Sequence, residues 1–482
     1  MRLDELVAGD PGTRILGDGG AEIGDLAYDS RRAGPGTLFF CVPGARADGH
    51  EFAAAAVAQG AAALVVEREL DLAVPQVLVA DARAAMAPAA ARFWGEPTAE
   101  LRVVGVTGTN GKTTTAFLVR EILEAAGTSC GLLGTVKQVV AGTEEEVERT
   151  TPEAIELQAT FRRMLDGGDR ACAMEVSSHA LVLHRADAIR FEVALFTNLT
   201  QDHLDFHTDM EDYFQAKRTL FAEAGAGTRI VNVDDPYGRR LAEEFECVTF
   251  SAEGAAADYA ASAVEFDAGG AGFTVNGEQE LRTGLPGHFN VANALGAFAA
   301  ARALGVAAET AAAGLARAAR VPGRFEPIDE GQGFAVLVDY AHTPDSMENV
   351  LRAARRLTEG RLISVFGAGG DRDRDKRPKM GRAGGELSDL AVVTSDNPRS
   401  EDPAAIVAEV AAGARGQAAE VELEVDRRAA IALALARAAA GDTVVIAGKG
   451  HEQGQEFEGG RKVPFDDREV TRAELRRLGG AA

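Results

Sequence analysis

Residues 101–107, LRVVGVT, run without a break into Gly108-Thr109-Asn110-Gly111-Lys112-Thr113-Thr114, and an amphipathic stretch follows over residues 116–126. An apolar strand, a glycine-bearing turn and a helical pattern in that order form a strand, loop, helix unit. Backbone N–H groups of such a loop, the positive end of the helix and a lysine converge on triphosphate oxygens, and a hydroxyl directly after the lysine can ligate Mg²⁺. The unit therefore predicts an ATP-binding α/β domain. In the commonest form of the loop a glycine stands five residues before the Gly-Lys pair; here that position is Val106, so the loop is a variant. A plain glycine turn beside an exposed lysine would explain the letters but not the strand and helix on either side.

Outward from the loop the chain keeps alternating strand-like and helix-like stretches. Apolar runs at 38–42 and 63–66 flank an Ala-rich stretch at 52–59, and a further helical stretch ends at Gly95-Glu96-Pro97-Thr98, where Gly and Pro stop a helix. Strand-like runs at 171–176, 193–197 and 230–233 are spaced by helix-length segments, the pattern of a parallel sheet. After helical stretches at 291–304 and 308–319 comes Val321-Pro322-Gly323-Arg324, and strands at 334–338, 362–366, 390–394 and 444–447 follow. The expected fold is α/β in three domains: a small N-terminal α/β domain over 1–98, a central P-loop domain with a parallel sheet over 99–323, and a C-terminal Rossmann-like domain over 324–482.

The length of 482 residues suits about three such domains. Hydrophobic residues at 46% and charged residues at 26% exclude wholesale disorder and fibrous repeats. Lys and Arg total 50 against 74 Asp and Glu, and the net charge of −24 repels phosphate backbones and anionic lipid heads. No nucleic acid and no membrane surface is expected as a partner, although a local group of cations can still hold a nucleotide. Cys41, Cys130, Cys172 and Cys247 are scattered without metal-ligand spacing, as in reduced cytoplasmic proteins. Residues 1–13 carry Asp4, Glu5 and Asp10, and no run approaches about 20 apolar residues, so neither a signal peptide nor a membrane span is expected.

The loop at 108–114 resembles the ATP loop of the Mur ligases and the related folylpolyglutamate synthetases. Other landmarks of that family follow in order: Asp29-Ser30-Arg31, Glu175 within MEVSSH (174–179), His203 within TNLTQDH (197–203), Lys217 within YFQAK (213–217), Asn293, Arg324, Asp339, and Gly448-Lys449-Gly450-His451-Glu452. The resemblance spans nearly the whole chain and implies domains for a uridine nucleotide, for ATP and for an amino acid. It also implies ATP-driven joining of a carboxylate to an amine. There a carboxylate attacks the γ-phosphate, and the two anions repel until cations neutralise them. By resemblance, Lys112 stabilises the transferring charge within a cradle of Gly108, Thr109, Asn110, Gly111, Thr113 and Thr114. Asn293 lies at the base, and Arg324 and Asp339 reach the nucleotide from the third domain. The resemblance further implies two Mg²⁺ sites organised by Thr113, Glu175, His203 and Lys217, the lysine carrying a CO₂-derived carbamate that turns a cation into an anion. Taken singly, a strand-end Glu and a helical Lys are ordinarily solvated. A loop His is as often a hydrogen-bonded residue as a ligand, and an Asn can simply cap a helix.

Tyr28 and Ser30 resemble the uridine-nucleotide site of the family members that add the third peptide residue, although a surface turn explains Asp29-Ser30-Arg31-Arg32 equally well. Thr150, Thr151, Ser177 and Arg185 match positions that hold the muramoyl dipeptide, while Leu183 and Arg149 stand where the family often has glutamine and asparagine. Arg399, in Asp396-Asn397-Pro398-Arg399, offers a bidentate partner for the distal carboxylate of meso-diaminopimelate, which lysine as substrate lacks. Arg372, Gly448 and Glu452 match the remaining diaminopimelate contacts, although residues 371–379 could equally be a solvated run of charge. The expected reaction adds meso-diaminopimelate to UDP-N-acetylmuramoyl-L-alanyl-D-glutamate through an acyl phosphate, in the cytoplasm, by a monomer. Two alternatives remain. One is a folate-polyglutamating or lysine-adding ligase of the same fold, and the other is a P-loop hydrolase or switch that couples ATP cleavage to movement.

Overall fold

The computed structural model describes residues 1–9, 12–44, 47–147, 149–222, 227–267 and 269–479; Asp10, part of the N-terminal reading, lies outside them. By packing, the chain forms two units: Met1–Gly105 with Thr128–Ala194 and Ala216–Gly227, and Val106–Gly127 with Leu195–Gln215 and Thr228–Ala482.

In the first unit a five-stranded sheet runs in the order Arg14–Leu16, Gln76–Leu78, Ala63–Val66, Thr37–Phe40, Asp25–Ala27, with only the first strand antiparallel. Its central strand, Ala63–Val66, is apolar at every position because both faces are covered. Leu38, Phe40, Ala63 and Val65 pack on the helix Ala82–Phe93, whereas Phe39, Cys41, Leu64 and Val66 pack on the helix Ala53–Ala58. Asp81 caps the longer helix by accepting from Arg83 N and Ala84 N at 2.8 and 2.9 Å. The same unit holds the parallel pair Ala171–Glu175 and Cys130–Leu133, extended by the antiparallel strands Gln138–Val140 and Thr143–Glu145.

The second unit contains the loop and its helix, which spans Lys112–Ala125 and so begins one turn before the amphipathic pattern. The strand Thr228–Asn232 falls where the apolar run at 230–233 predicts one, and Val248–Ser251, which the sequence reading did not single out, pairs with it in parallel. The antiparallel strands Tyr259–Asp267, Gly270–Val275 and Gln279–Thr283 were not expected. Their outer faces are half-exposed and weakly patterned, and the one strong local signal is Asn276-Gly277, both at positive φ in the connecting turn. A six-stranded sheet follows in the order Glu326–Pro327, Ala335–Asp339, Thr443–Ala447, Leu362–Phe366, Leu390–Val393, Glu420–Leu423, parallel except for the first strand. Strand order reverses around Thr443–Ala447, which opens a crevice at the carboxyl ends of the strands, where α/β sheets place their ligands.

The helices Lys376–Leu387 and Pro403–Ala414 cover this sheet with their backbones in close approach. A Cβ on Gly413 would lie 1.8 Å from the Pro378 carbonyl oxygen, and one on Gly381 would lie 1.9 Å from that of Val410. Gly413→Ala is therefore expected to destabilise the chain by about 2 kcal/mol, because parting the helices outweighs the roughly 1 kcal/mol that alanine adds to helix propensity. Urea unfolding reads this directly, and an unchanged or raised midpoint contradicts it.

Candidate active site

The loop of the second unit is shaped by what cannot be there. A Cβ on Gly108 (φ +146°) would lie 1.9 Å from Thr197 Oγ1, and one on Gly111 (φ +85°) would lie 2.3 Å from Asn293 Oδ1. Thr197 Oγ1 and Asn198 Nδ2 donate to the Asn110 carbonyl at 2.6 and 3.2 Å, and Asn198 Oδ1 accepts from Asn110 N at 2.9 Å. The loop is thus clamped from the carboxyl end of the neighbouring segment. Lys112 Nζ donates to the carbonyls of Gly108 and Thr109 at 3.0 and 2.8 Å, which keeps the ammonium over the cradle.

A cleft of about 630 Å³ opens beside the loop, lined by Asn110, Gly111, Thr114, Asn293, Arg324 and Asp339 among others, with Phe250 and Phe289 on its apolar side. The structure therefore brings Asn293, Arg324 and Asp339 together with the loop around one cleft. Arg324 Nη2 donates to Thr113 Oγ1 at 2.9 Å, its guanidinium lies 4.5 Å over the Tyr340 ring, and its Nε is buried without a hydrogen-bond partner. A buried cationic donor left open beside a glycine cradle fits a phosphate-bearing ligand. Asp339 accepts from Phe325 N at 2.7 Å, and burial pushes its carboxyl up to about 6 against the pull of Arg324.

At the carboxyl ends of the second sheet lies a cluster of charge. Arg399 (φ +51°) donates from Nη1 to the Gly370 carbonyl at 2.7 Å and from Nε to Glu456 at 3.0 Å. Its Nη2 has no partner among the described residues. Both Arg399 and Arg372 border Gly369, where a Cβ would lie 3.0 Å from Arg399 Nη1 and 3.8 Å from Arg372 Cγ. Lys449, fully buried, donates to Asn397 Oδ1 at 2.8 Å and Glu452 Oε2 at 2.7 Å, and Asn397 Nδ2 donates to the same Glu452 oxygen at 2.9 Å. Burial would raise the Asp396 carboxyl, but Lys449, Arg427 and His342 outweigh it and hold the group below its ordinary value. The run 371–379 is not uniformly solvated, since Lys376 and Arg377 are buried. Pro398 and Gly448 shape the backbone of this cluster, Gly448 at φ +122°.

In the first unit, Glu175 is buried rather than solvated. Its carboxylate accepts from Thr135 N at 2.7 Å and Thr135 Oγ1 at 3.2 Å, and a Cβ on Gly134 would lie 2.5 Å from its Oε1. Thr150, Thr151, Ser177 and Arg185 gather around this strand end. Thr150 Oγ1 lies 3.0 Å from Thr135 Oγ1, Thr151 Oγ1 donates to the Glu175 carbonyl at 2.9 Å and accepts from Ser177 N at 3.2 Å, and Arg185 Nη1 donates to the Thr151 carbonyl at 3.2 Å. Arg185 also pairs with buried Glu153 at 2.9 Å, and Glu153 takes Arg83 at 3.0 Å. Glu153 lines a second cleft, of about 990 Å³, together with Tyr28, Ser30, Arg32 and Arg149.

Lys217, on the helix Met210–Ala222, is buried, against the solvated position usual for a helical lysine. His203 (φ +56°) sits 3.4 Å from Asp202, whose carboxyl is held below its ordinary value because His203, Lys376 and His342 outweigh its burial. No group of three or more His, Cys, Asp or Glu is arranged to hold a metal ion among the described residues.

Three family models match the chain in sequence: Mur ligase family, catalytic domain, over residues 22–94; Mur ligase middle domain over 106–301; and Mur ligase, glutamate ligase domain, over 323–450. The chain belongs to the Mur ligase family. A relative in Streptomyces coelicolor, named UDP-N-acetylmuramoyl-L-alanyl-D-glutamate--2,6-diaminopimelate ligase, is 50% identical over 479 residues, covering 96% of this chain and 94% of the relative. One of the same name in Geobacillus kaustophilus is 45% identical over 491 residues, covering 99% and 100%. A solved structure of a ligase of that name superposes with a TM-score of 0.70 at 30% identity, covering 99% of each chain.

In this Mur ligase the three-domain α/β arrangement expected from sequence is present, and some of its site residues had escaped notice. Tyr340 is one: its ring carries Arg324 and its hydroxyl donates to Glu452 Oε1 at 3.3 Å, so one side chain joins the cleft beside the loop to the charged cluster at the strand ends. Its place directly after Asp339 at a strand end was the available signal. Thr197 and Asn198, which hold the loop, also follow a strand.

A carboxyl that binds its proton more tightly folded than unfolded costs stability once ionised. For Asp339 the cost is absent below its ordinary value of 3.8 and complete above about 6. At about 1.4 kcal/mol per pKa unit it reaches about 3 kcal/mol by neutral pH. Asp339→Asn is therefore expected to gain on the unsubstituted chain as pH rises from about 4 to about 7. The difference between the two urea-unfolding free energies measures it, and a difference constant across that range contradicts the assignment.

Proposed function

We propose that the chain joins meso-diaminopimelate to UDP-N-acetylmuramoyl-L-alanyl-D-glutamate at the expense of ATP, in the synthesis of peptidoglycan. The observation that carries this reading is the junction at Tyr340, which couples a phosphate-fitting cleft to a cluster whose free guanidinium edge suits a second carboxylate. The relatives of that name, similar over nearly their full length, support it.

An oxygen of the D-glutamyl γ-carboxylate bonds to the γ-phosphorus as ADP departs. The amine of diaminopimelate then attacks the acyl carbon, loses a proton, and expels inorganic phosphate carrying the former carboxylate oxygen. Lys112 and Arg324 place positive charge where the phosphoryl group develops negative charge. Mg²⁺ would be held by Thr113, Glu175, His203 and a carbamate on Lys217, and would supply charge neutralisation between the two reacting anions. The burial of Lys217, unusual for a helical lysine, is in keeping with a role inside the site.

Tyr28, Ser30, Thr150, Thr151, Ser177 and Arg185 hold the muramoyl nucleotide on this reading. Arg372, Asp396, Asn397, Pro398, Arg399, Gly448 and Glu452 hold diaminopimelate. Domain limits fall at residues 98 and 323. On this reading the enzyme works as a cytoplasmic monomer without nucleic acid or membrane partners, and its net charge of −24, which repels polyanions, supports the absence of both partners.

Phosphate release is expected only when both the muramoyl nucleotide and diaminopimelate are present; release with ATP alone would instead indicate a hydrolase. In an amine competition, meso-diaminopimelate is expected to win over L-lysine, and Arg399→Ala to lower kcat/KM for diaminopimelate by about 1 to 3 kcal/mol, roughly 5- to 150-fold. Preference of the unsubstituted chain for L-lysine refutes the specificity. Lys217→Ala is expected to be nearly inactive and to recover in part with added small carboxylates, whereas full activity without them removes the carbamate.

A further inference from the structure

Arg427 belongs to none of the motifs above, yet it is fully buried directly behind the amino-acid cluster. It opens the helix Arg427–Arg437, and its Nε and Nη2 donate to the two oxygens of Asp467 at 2.8 and 2.7 Å, with both partners inaccessible to solvent. The remaining donors go to main chain: Nη2 to the Ala447 carbonyl at 2.9 Å and Nη1 to the Ser395 carbonyl at 3.3 Å. Those two carbonyls end or follow different strands, and each immediately precedes a residue of the cluster, Gly448 or Asp396.

Asp396 is more than nine-tenths buried. Its Oδ1 accepts from Asn397 N at 2.7 Å, while its Oδ2 is buried without a hydrogen-bond partner. A Cβ on Gly448 would lie 2.5 Å from that Oδ2 and 3.6 Å from Arg427 Nη2, so the guanidinium and the open oxygen meet at the same glycine. A buried, ionised acceptor with no donor is costly unless a ligand supplies one. A buried ion pair is in itself weak support for stability, since an apolar pair of similar volume commonly serves as well. The pair Arg427–Asp467 therefore calls for another role.

We propose that Arg427, held in place by Asp467, is a positioning residue of the amino-acid site: its fork fixes Asp396 and Gly448 so that Asp396 Oδ2 meets an ammonium group of the incoming amino acid. The inference rests on the proposed function and adds a residue that touches no substrate. Lysine could not replace arginine, because a single ammonium cannot bridge two carbonyls and a carboxylate in one plane.

The test uses the full chain carrying Arg427→Met with Asp467→Leu, which removes both charges of the pair together, and Arg427→Lys as a second variant. Both are expected to fold, shown by thermal melting. KM for diaminopimelate is expected to rise about tenfold or more while KM for ATP and for the muramoyl nucleotide stays within about twofold. Should one variant fail to fold, the other carries the measurement. An unchanged KM for diaminopimelate in a folded variant overturns the proposal, as does an equal rise in all three KM values. Failure of the proposed function reads differently: the unsubstituted chain would then not use diaminopimelate at all.

Discussion

No side chain fits at Gly108 or Gly111, and the cleft beside the loop depends on that exclusion. The backbone there passes against Thr197 and Asn293 with less than the space of a methyl group. That approach lets the hydroxyl and amide groups of Thr197 and Asn198 seize the Asn110 carbonyl and N–H, and it aims the N-terminus of the helix Lys112–Ala125 into the cleft. Any larger residue would push the loop away from the segment that clamps it, and Lys112 would lose the two carbonyls that hold its ammonium over the cradle.

Several cations of this acidic chain are buried: Lys376, Arg377, Arg427 and Lys449 are each paired with a carboxylate or with main-chain carbonyls, and the half-buried Arg324 with a hydroxyl. Inside the protein such charges act on a ligand with less screening than on the surface. A carboxylate and a phosphoryl group approach each other only when their repulsion is offset. Tyr340 links the cleft beside the loop to the charged cluster at the strand ends, under Arg324 on one side and against Glu452 on the other.

Much of the molecule was legible in the chain. The glycine loop, the apolar strands and the helix-length spacers announced an α/β protein with a nucleotide site, because fully buried parallel strands leave continuous apolar runs and a phosphate loop tolerates few spellings. The resemblance ordered the remaining motifs. The antiparallel strands at 259–283 escaped because half-exposed strands carry little pattern, and the first helical turn at Lys112 escaped because it is polar. Arg427 carries no local mark at all and Tyr340 only its place after Asp339: their roles arise from strand ends that are distant in sequence.

Local spelling determined the turn at 108–111, the strands that enter and leave it, and the residue types able to meet phosphate, carboxylate and amine, since backbone freedom and side-chain chemistry are properties of single positions and near neighbours. Only the tertiary structure decided that Glu175 and Lys217 are buried, that Arg324 reaches Thr113, and that Asp396 keeps one oxygen open. Burial and long-range pairing depend on how strands are ordered in a sheet, and in this chain that order places side by side residues far apart in number.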